Sequence, residues 1–234
     1  MLFQNKKNFL FFILAGFFIT NAVTAELIGG KIIQLGPFYL SIGIIPWPVV
    51  FLATDTINEF YGKKVVQRLS FITAAFIAYA FVILFFGLKI PAAPYPNISS
   101  VSDAQFSAVF GQSLWIIIGS LTAFIVSQFV DVFVFWYFRD KTGKKMIWLR
   151  STGSTVISQL VDTFIVGGIA FWLTGKWTTE VYINASLTGY FFKLGIAVAL
   201  TPLIYIGHYF VEKYIGHDEA EKMMEKTVVE AHEK

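Results

Sequence analysis

The chain has 234 residues, of which 56% are hydrophobic and 14% are charged, and its formal net charge is +3. A soluble domain of this length carries about 25% charged residues, so the composition indicates an integral membrane protein. The chain contains no cysteine, which excludes disulfides, thiol nucleophiles and cysteine-ligated metal centres. No metal site and no cofactor is predicted, and no basic run interleaved with aromatics indicates nucleic-acid binding.

Apolar runs of about 20 residues predict six membrane-spanning helices, each long enough to cross a hydrocarbon core of about 30 Å. The predicted fold is an all-α membrane protein with short connectors and one irregular loop at 89–111. Residues 1–216 are interpreted as a single membrane domain, and residues 217–234 as a charged tail that forms a solvated helix or a frayed end. The predicted helices cover 8–28, 37–60, 65–88, 112–137, 152–173 and 188–211.

The first 25 residues also resemble a secretory signal, because Lys6 and Lys7 precede an apolar run and small residues precede Glu26. Cleavage after this segment would leave five helices. The basic residues support six, since a cytoplasmic N-terminus places ten of them in inner connectors and three in outer ones. This asymmetry predicts that both termini are cytoplasmic. The inner set is Lys6, Lys7, Lys63, Lys64, Arg68, Arg139, Lys141, Lys144, Lys145 and Arg150, and the outer set is Lys31, Lys89 and Lys176.

Two similar stretches, SQFVDVFV and SQLVDTFI, place carboxylates inside the fourth and fifth predicted helices. Gln128 and Asp131 share one helix face because they are three residues apart, and so do Gln159 and Asp162. A charge at mid-membrane costs at least about 2.5–3.5 kcal/mol on insertion scales. These side chains are therefore expected to face other protein groups or a polar solute rather than lipid.

The second predicted helix carries Asp55, Asn58 and Glu59 on one face in the same way. Counting about 1.5 Å per residue from the inner connectors places Asp55 near the middle of the membrane, at a depth similar to those of the other two aspartates. Lys193 is the one obvious base within the predicted spans. This excess of acids favours a site for a polar solute over a purely structural polar network, although protonation of some acids would also restore neutrality.

The stretch IIPWPVVF lies inside the second predicted helix, where Pro46 and Pro48 remove two backbone donors. Interrupted helices are common at the midplane sites of transporters, so a proline-broken second helix is predicted, with a simple kink as the alternative. Trp47 and Phe51 lie beside the prolines. Their rings either stack on a flat ligand or serve only in packing.

Two long stretches, from Lys31 to Lys64 and from Ser127 to Phe164, carry specific motifs. Through them the chain, over about residues 20–210, resembles the vitamin uptake transporter family, also called the queuosine precursor transporters. The second stretch contributes SQxxD, the KTGKK–WLR connector and the ST–SQxxDT block. The matching features of the first stretch are Lys31, Gly36, Pro37, Phe38, Pro48 and the run TDTINEFYGKK from Thr54 to Lys64.

The resemblance implies a multi-pass protein of the inner, cytoplasmic membrane that imports the 7-deazaguanines preQ0 and preQ1 and is not an enzyme. Its partners would be the small-molecule base and the lipid bilayer, and a homodimer is left open. A carboxylate can accept the N1–H and amino group of a guanine-like edge as a fork, a glutamine can serve the opposite edge, and the cationic aminomethyl group of preQ1 favours a second carboxylate. The candidate substrate-binding residues are Asp55, Asn58, Glu59, Gln128, Asp131, Gln159, Asp162, Lys193, Trp47 and Phe51.

Two other classes of protein are alternatives to a stand-alone carrier. A substrate-capture subunit of an energy-coupled vitamin transporter would need an ATPase partner, and the chain itself has no ATP-binding motif. An intramembrane aspartyl protease would surround one aspartate with a GxGD pattern, whereas the sequences here are QFVD and QLVD. Facilitated, proton-coupled and ATPase-assisted transport are all compatible with the sequence.

Overall fold

The computed structural model describes residues 5–35, 38–112, 114–143 and 145–232, and it is predominantly helical. Gly36 and Pro37 of the first motif and Lys144 of the inner basic set lie outside the described residues. The helices are α1 Lys6–Ile28, α2 Trp47–Tyr61, α3 Lys63–Gly87, α4 Asp103–Phe110, α5 Leu114–Thr142, α6 Ile147–Gly167, α7 Thr179–Ile215 and α8 His217–His232, and a π-helical turn, Gly168–Trp172, extends α6.

Helices long and apolar enough to cross a membrane are the main feature of the described ranges, in agreement with the predicted class of an all-α membrane protein. Five segments meet this description, one fewer than the six spans predicted. The segment around 37–60 accounts for the difference. The five are Lys6–Ile28, Lys63–Gly87, Asp103–Thr142, Ile147–Trp172 and Thr179–Ile215.

The predicted helix over 37–60 is wrong in its first part, where the chain forms an antiparallel hairpin. Strands β1, Ile32–Leu35, and β2, Phe38–Ser41, pair so that Ile32 lies opposite Ser41. The Ser41 hydroxyl donates to the Gly29 carbonyl at 2.7 Å and accepts from the Gly43 amide at 3.1 Å. Backbone groups that a helix would pair internally are thus paired across the hairpin and with the end of α1, as a membrane environment requires.

The two prolines begin α2 rather than break it. Pro46 precedes the first helical residue, and Pro48 lies in the first turn. A helix start leaves four backbone N–H groups without partners, and a proline in the first turn removes one of these donors. The 15 residues of α2 extend about 22 Å, so the helix is shorter than a complete span. The predicted mid-span break is therefore corrected to a helix of about three quarters of the length of a span.

The inner two turns of α2 lie at the centre of the bundle. All eight residues from Ala53 to Phe60 are buried, and the helix packs closely on α1, α3, α7 and α8. Val50 and Ile57 contribute to the main apolar core together with Phe18 and Phe135. Because this part of α2 is buried, its carboxylates meet protein groups and not lipid.

The loop predicted to be irregular at 89–111 contains one short helix, α4. The Ser102 hydroxyl accepts from the Gln105 amide, and the Gln105 side chain accepts from the Ser102 amide, which forms a capping box. This reciprocal bonding satisfies two donors at the start of the helix. The prediction of an irregular loop is therefore wrong over residues 103–110.

The charged tail forms the helix α8, in agreement with the first of its two predicted forms. One face of this helix is buried rather than solvated. Ala220, Met223 and Thr227 are buried, and this face packs on Phe60 of α2 and Val211 of α7. The Thr227 hydroxyl also donates to the backbone carbonyl of Glu59 at 3.2 Å. The tail therefore covers one end of the bundle, the end at which α2 stops.

Ion pairing and a tight connector hold the same end together. Lys7 of α1 bonds Glu219 of α8 at 2.5 Å, and the ammonium groups of Lys7 and then Lys222 keep the pKa of Glu219 below its usual range. Gly62 alone joins α2 to α3 with φ +90°, a conformation that side chains other than glycine rarely adopt. A Cβ atom at this position would approach the Thr227 side chain to 3.3 Å.

Replacement of Ala220 by Asp should release α8 from the bundle, because a carboxylate at this fully buried position costs several kcal/mol, on the order of the penalty for an unpaired buried ion. Since the chain has no cysteine, a single Met223→Cys substitution reports the exposure of the buried face through its rate of maleimide labelling. We expect slow labelling in the Met223→Cys protein and fast labelling once Ala220→Asp is added.

The matched control is Val229→Asp, which introduces the same carboxylate at a position of α8 that is 57% exposed. Labelling of Met223→Cys should stay slow in this background. Equal labelling rates in the two Asp backgrounds would contradict the packing of α8 described above.

Candidate functional site

One face of α6 is polar along most of its length. Its polar side chains recur at intervals of three and four residues, which places them on one side of the helix. From the first to the last they extend about 18 Å along the axis. Apart from Gly167, every buried residue of α6 belongs to this polar face, and its members are Arg150, Ser151, Ser154, Thr155, Ser158, Gln159 and Asp162.

Glu59, Arg139 and Arg150 form an inner ion cluster at the end of the bundle covered by α8. Arg150 Nη2 bonds Glu59 Oε1 at 2.7 Å, and Arg139 Nη2 lies 3.5 Å from the same oxygen. Arg139 also donates to the carbonyls of Glu59 and Met224, and Arg150 donates to that of Gly143. Glu59 thereby connects α2 to both α5 and α6.

This cluster corrects two interpretations of the sequence. Arg139 and Arg150 are predicted to lie in an inner connector. They belong instead to α5 and α6 and are only 5% and 1% exposed. Lys193 is therefore not the one base inside the bundle. Cation–π contacts with Trp136 at 4.7 Å and Phe135 at 5.9 Å add to the enclosure of the two guanidinium groups.

Asp55 and Asp131, which we call the central carboxylate pair, lie next to the inner ion cluster along α6. Asp55 accepts a hydrogen bond from the Ser151 hydroxyl, and Asp131 accepts one from Ser158 at 3.0 Å and faces the hydroxyl of Ser154. The two carboxylates are close enough to repel each other electrostatically. Their direct partners are thus neutral hydroxyl groups, in contrast to the guanidinium partners of Glu59.

Several buried polar atoms near the central carboxylate pair have no hydrogen-bond partner among the described residues. They include Asp55 Oδ1, both amide atoms of Asn58, and Gln128 Oε1. A buried polar atom without a partner costs about 1–3 kcal/mol. The concentration of such atoms on α2 and α5 gives this region donors and acceptors that a polar solute can use. The same condition holds for Glu59 Oε2, Trp136 Nε1, Arg150 Nε and Ser186 Oγ.

A small cavity of about 30 Å³ lies between α2, α6 and α7, beside Asp55. Phe51 and Asp55 line it from α2, and Ser151 and Thr155 line it from α6. The Trp47 ring stacks on Phe51 with centroids 5.7 Å apart and an interplanar angle of 24°. Phe51 therefore presents an aromatic ring to the cavity, whereas Trp47 supports that ring.

Asp162 and Lys193 form a second ion pair farther toward the opposite end, with Nζ and Oδ2 2.7 Å apart. Lys193 thereby offsets the charge of one of the buried acids. Glu26 of α1 lies near both residues and near the hydroxyl of Ser120, which donates to the Ile117 carbonyl. Asp162 is thus one helical turn beyond Ser158 and has its own partners, apart from the central carboxylate pair.

The predicted site residues consequently fall into three levels along the bundle. Asp55, Asn58, Gln128 and Asp131 surround the central level, and Phe51 and Trp47 flank it. Glu59 belongs to the inner ion cluster, and Asp162 and Lys193 to the outer pair. Gln159 lies on the polar face of α6 between the central and outer levels.

The sequence reasoning missed the hydroxyl residues of α6 that hold the central carboxylate pair, namely Ser151, Ser154 and Ser158. Their spacing of three and four residues, in register with Gln159 and Asp162, was a signal that could have identified them. A polar face of this regularity inside an apolar helix predicts that the helix borders a polar path.

Comparisons with known proteins agree with one another. Residues 41–207 match the model of the family described as "Putative vitamin uptake transporter". A protein of Bacillus subtilis (strain 168) named "Probable queuosine precursor transporter" is 30% identical over 203 residues, which cover 84% of this chain and 82% of the relative.

Two further relatives show the same similarity at lower identity. A protein of Haemophilus influenzae with the name "Probable queuosine precursor transporter" is 28% identical over 70% of this chain and 66% of its own length. The "Queuosine precursor transporter" of Escherichia coli (strain K12) is 27% identical over 69% of each chain. No solved structure matches the chain.

Replacement of Arg150 by Met should destabilise the protein by about 3–5 kcal/mol, because it leaves Glu59 with only the longer contact to Arg139. The free energy of unfolding in detergent provides the measurement. The double variant Arg150→Met with Glu59→Gln should be destabilised by less than the sum of the two single variants, since the buried charge is then also removed.

Lys226→Met provides the control, because its exposed pair with Glu230 is worth about 0.3–0.5 kcal/mol. Additive effects of the Arg150 and Glu59 substitutions would show that the inner ion cluster does not act as a unit.

Proposed function

We propose, from the premise that the chain belongs to the vitamin uptake transporter family, that it imports 7-deazaguanine precursors of queuosine such as preQ0 and preQ1. The names of the relatives support this substrate class. In this proposal the protein is a carrier and not an enzyme, and its small-molecule partner is the free base.

The observation that carries the proposal is the central carboxylate pair with unpaired amide groups beside it. A guanine-like edge presents an N–H and an amino group side by side, and a carboxylate can accept both at once. Asp55 has one oxygen without a partner, and Asp131 receives only neutral hydroxyl donors. The buried amides of Asn58 and Gln128 offer a donor and acceptors for the remaining ring atoms.

We assign different roles to the other candidate residues according to their contacts. Phe51 packs against the flat face of the base, with Trp47 behind it. Glu59 acts in closure of the inner end, because its charge is already paired with two guanidinium groups. Gln159 and the Asp162–Lys193 pair form the outer part of the path along the polar face of α6.

The proposed membrane arrangement has six crossings with both termini in the cytoplasm of the cell and the protein in the cytoplasmic membrane. Five crossings are the long helices, and the sixth is the segment from Ser41 to Tyr61, in which α2 extends about 22 Å. Residues 1–216 then form the transport domain. The inner ion cluster and α8 lie at the cytoplasmic end, so they close the exit side of the path.

Replacement of Asp131 by Asn should abolish uptake of labelled preQ0 and preQ1 into vesicles that contain only this protein, because the central site loses a carboxylate that accepts from the base. The variant should still insert and show cooperative thermal unfolding. Saturating base at a hundredfold excess over Kd should stabilise the wild-type protein by about 2.7 kcal/mol and the variant by much less.

Asp218→Asn on the exposed face of α8 is the matched control and should transport normally. Normal uptake by Asp131→Asn would remove the central carboxylate pair from the proposed site. If wild-type uptake required an added ATPase, the capture-subunit alternative would replace the stand-alone carrier.

Single cysteines in the two connectors that flank α6 test the proposed orientation. Lys176→Cys, between α6 and α7, should react with an impermeant maleimide on intact cells. Lys145→Cys, before α6, should react only after the membrane is opened. The reverse pattern would place the termini outside, and labelling of both from outside would contradict an odd number of crossings between them.

A further inference from the structure

Formal charges in the inner half of the bundle do not balance. Three buried carboxylates, of Glu59, Asp55 and Asp131, face the two buried guanidinium groups of Arg139 and Arg150. Both guanidinium groups lie on Glu59, and Arg150 is also within electrostatic range of Asp55. Counted at neutral pH, this set of five side chains has a net charge of −1.

The other ionisable groups of this region, among the residues that the structure describes, do not supply the missing positive charge. His208 packs its ring on Phe60 with centroids 5.0 Å apart, and the charges near it are those of Glu59, Glu212, Arg139 and Arg150 rather than those of the central pair. Lys193 is bonded to Asp162, and Glu26 lies near that pair. The outer level therefore has an acid in excess and no cation to spare for the central carboxylate pair.

The partners that the central pair does have are hydroxyl groups, which donate hydrogen bonds but carry no charge. Asp55 Oδ1 lacks even this kind of partner, although Asp55 is only 4% exposed and lines the cavity. A buried carboxylate needs a positive charge or a proton to offset its desolvation. A cation that reached Asp55 through the space between α2, α6 and α7 would offset this charge.

We propose that the central site selects a guanine-like base that carries one positive charge, an inference that rests on the transport function proposed above. One carboxylate accepts the N–H and amino group of the base, and the other accepts an ammonium group at the far end of the same ring system. Ser151 and Ser158, which hold the two carboxylates, are two turns or about 10 Å apart along α6, so one elongated base can reach both. A base bearing one positive charge brings the five-residue set to neutrality.

Two probes with the same ring and different charge test this inference without any substitution. 7-Aminomethyl-7-deazaguanine is a cation at neutral pH, and 7-cyano-7-deazaguanine is neutral. Their dissociation constants are to be measured on the purified wild-type protein by calorimetry. We expect the cation to bind at least about tenfold more tightly.

Equal affinities, or tighter binding of the neutral base, would overturn the inference, because the excess negative charge would then be neutralised by a retained proton. Such a result would leave the proposed transport of 7-deazaguanines intact. Binding of neither probe, together with no uptake of either, would instead contradict the proposed function.

The ratio of the dissociation constants of the two probes is then measured in Asp55→Asn and in Asp131→Asn. This comparison identifies the carboxylate that holds the ammonium group. We expect at least one of the two substitutions to bring the ratio close to one, while Asp218→Asn on the surface of α8 leaves it unchanged. A ratio that survives both substitutions would overturn the inference. Since the wild-type comparison needs no variant, loss of folding in either variant does not affect the test.

Discussion

A charge in the low-dielectric interior of a membrane protein is tolerated only with a partner, and this constraint organises the inner half of the molecule. Glu59 satisfies it with Arg139 and Arg150, and in doing so joins α2 to α5 and α6. The guanidinium groups in turn bond carbonyls at the end of α2, in α8 and in the connector before α6. Four helices, α2, α5, α6 and α8, and the connector before α6 therefore depend on the charge of one carboxylate.

The short length of α2 follows from the same constraint on buried polar groups. An apolar helix of full length at the centre of the bundle would leave no room for a polar site. Pro46 and Pro48 start the helix late, and the hairpin before it pairs its own backbone groups. The cavity lined by Phe51 and Asp55 lies beside the second and third turns of this helix.

The apolar helices could be predicted from the length and hydropathy of the apolar runs. The acid-rich motifs could be identified through their resemblance to those of the transporter family. The hairpin could not, since its residues are as apolar as those of a helix. The burial of Arg139 and Arg150 could not be predicted, because basic residues next to apolar runs are normally read as the ends of membrane spans. The docking of α8 depends on Thr227 and Ala220 meeting α2 and α7, which no local pattern reveals.

The kind of partner separates the carboxylates that hold the structure from those that can exchange ligands. Guanidinium groups bind Glu59 through charge, so their displacement leaves a buried ion unpaired and costs about 3–5 kcal/mol. Hydroxyl groups bind Asp55 and Asp131 through hydrogen bonds from uncharged donors. Such a bond contributes roughly 0.5–1.5 kcal/mol to a protonated carboxyl group and roughly 1.5–3 kcal/mol to an ionised one. Serines can also rotate their hydroxyl groups toward another acceptor. A carrier must release what it binds. A carboxylate held by serines can exchange these hydroxyl groups for a ligand while the ion pairs of Glu59, which join the helices, stay intact.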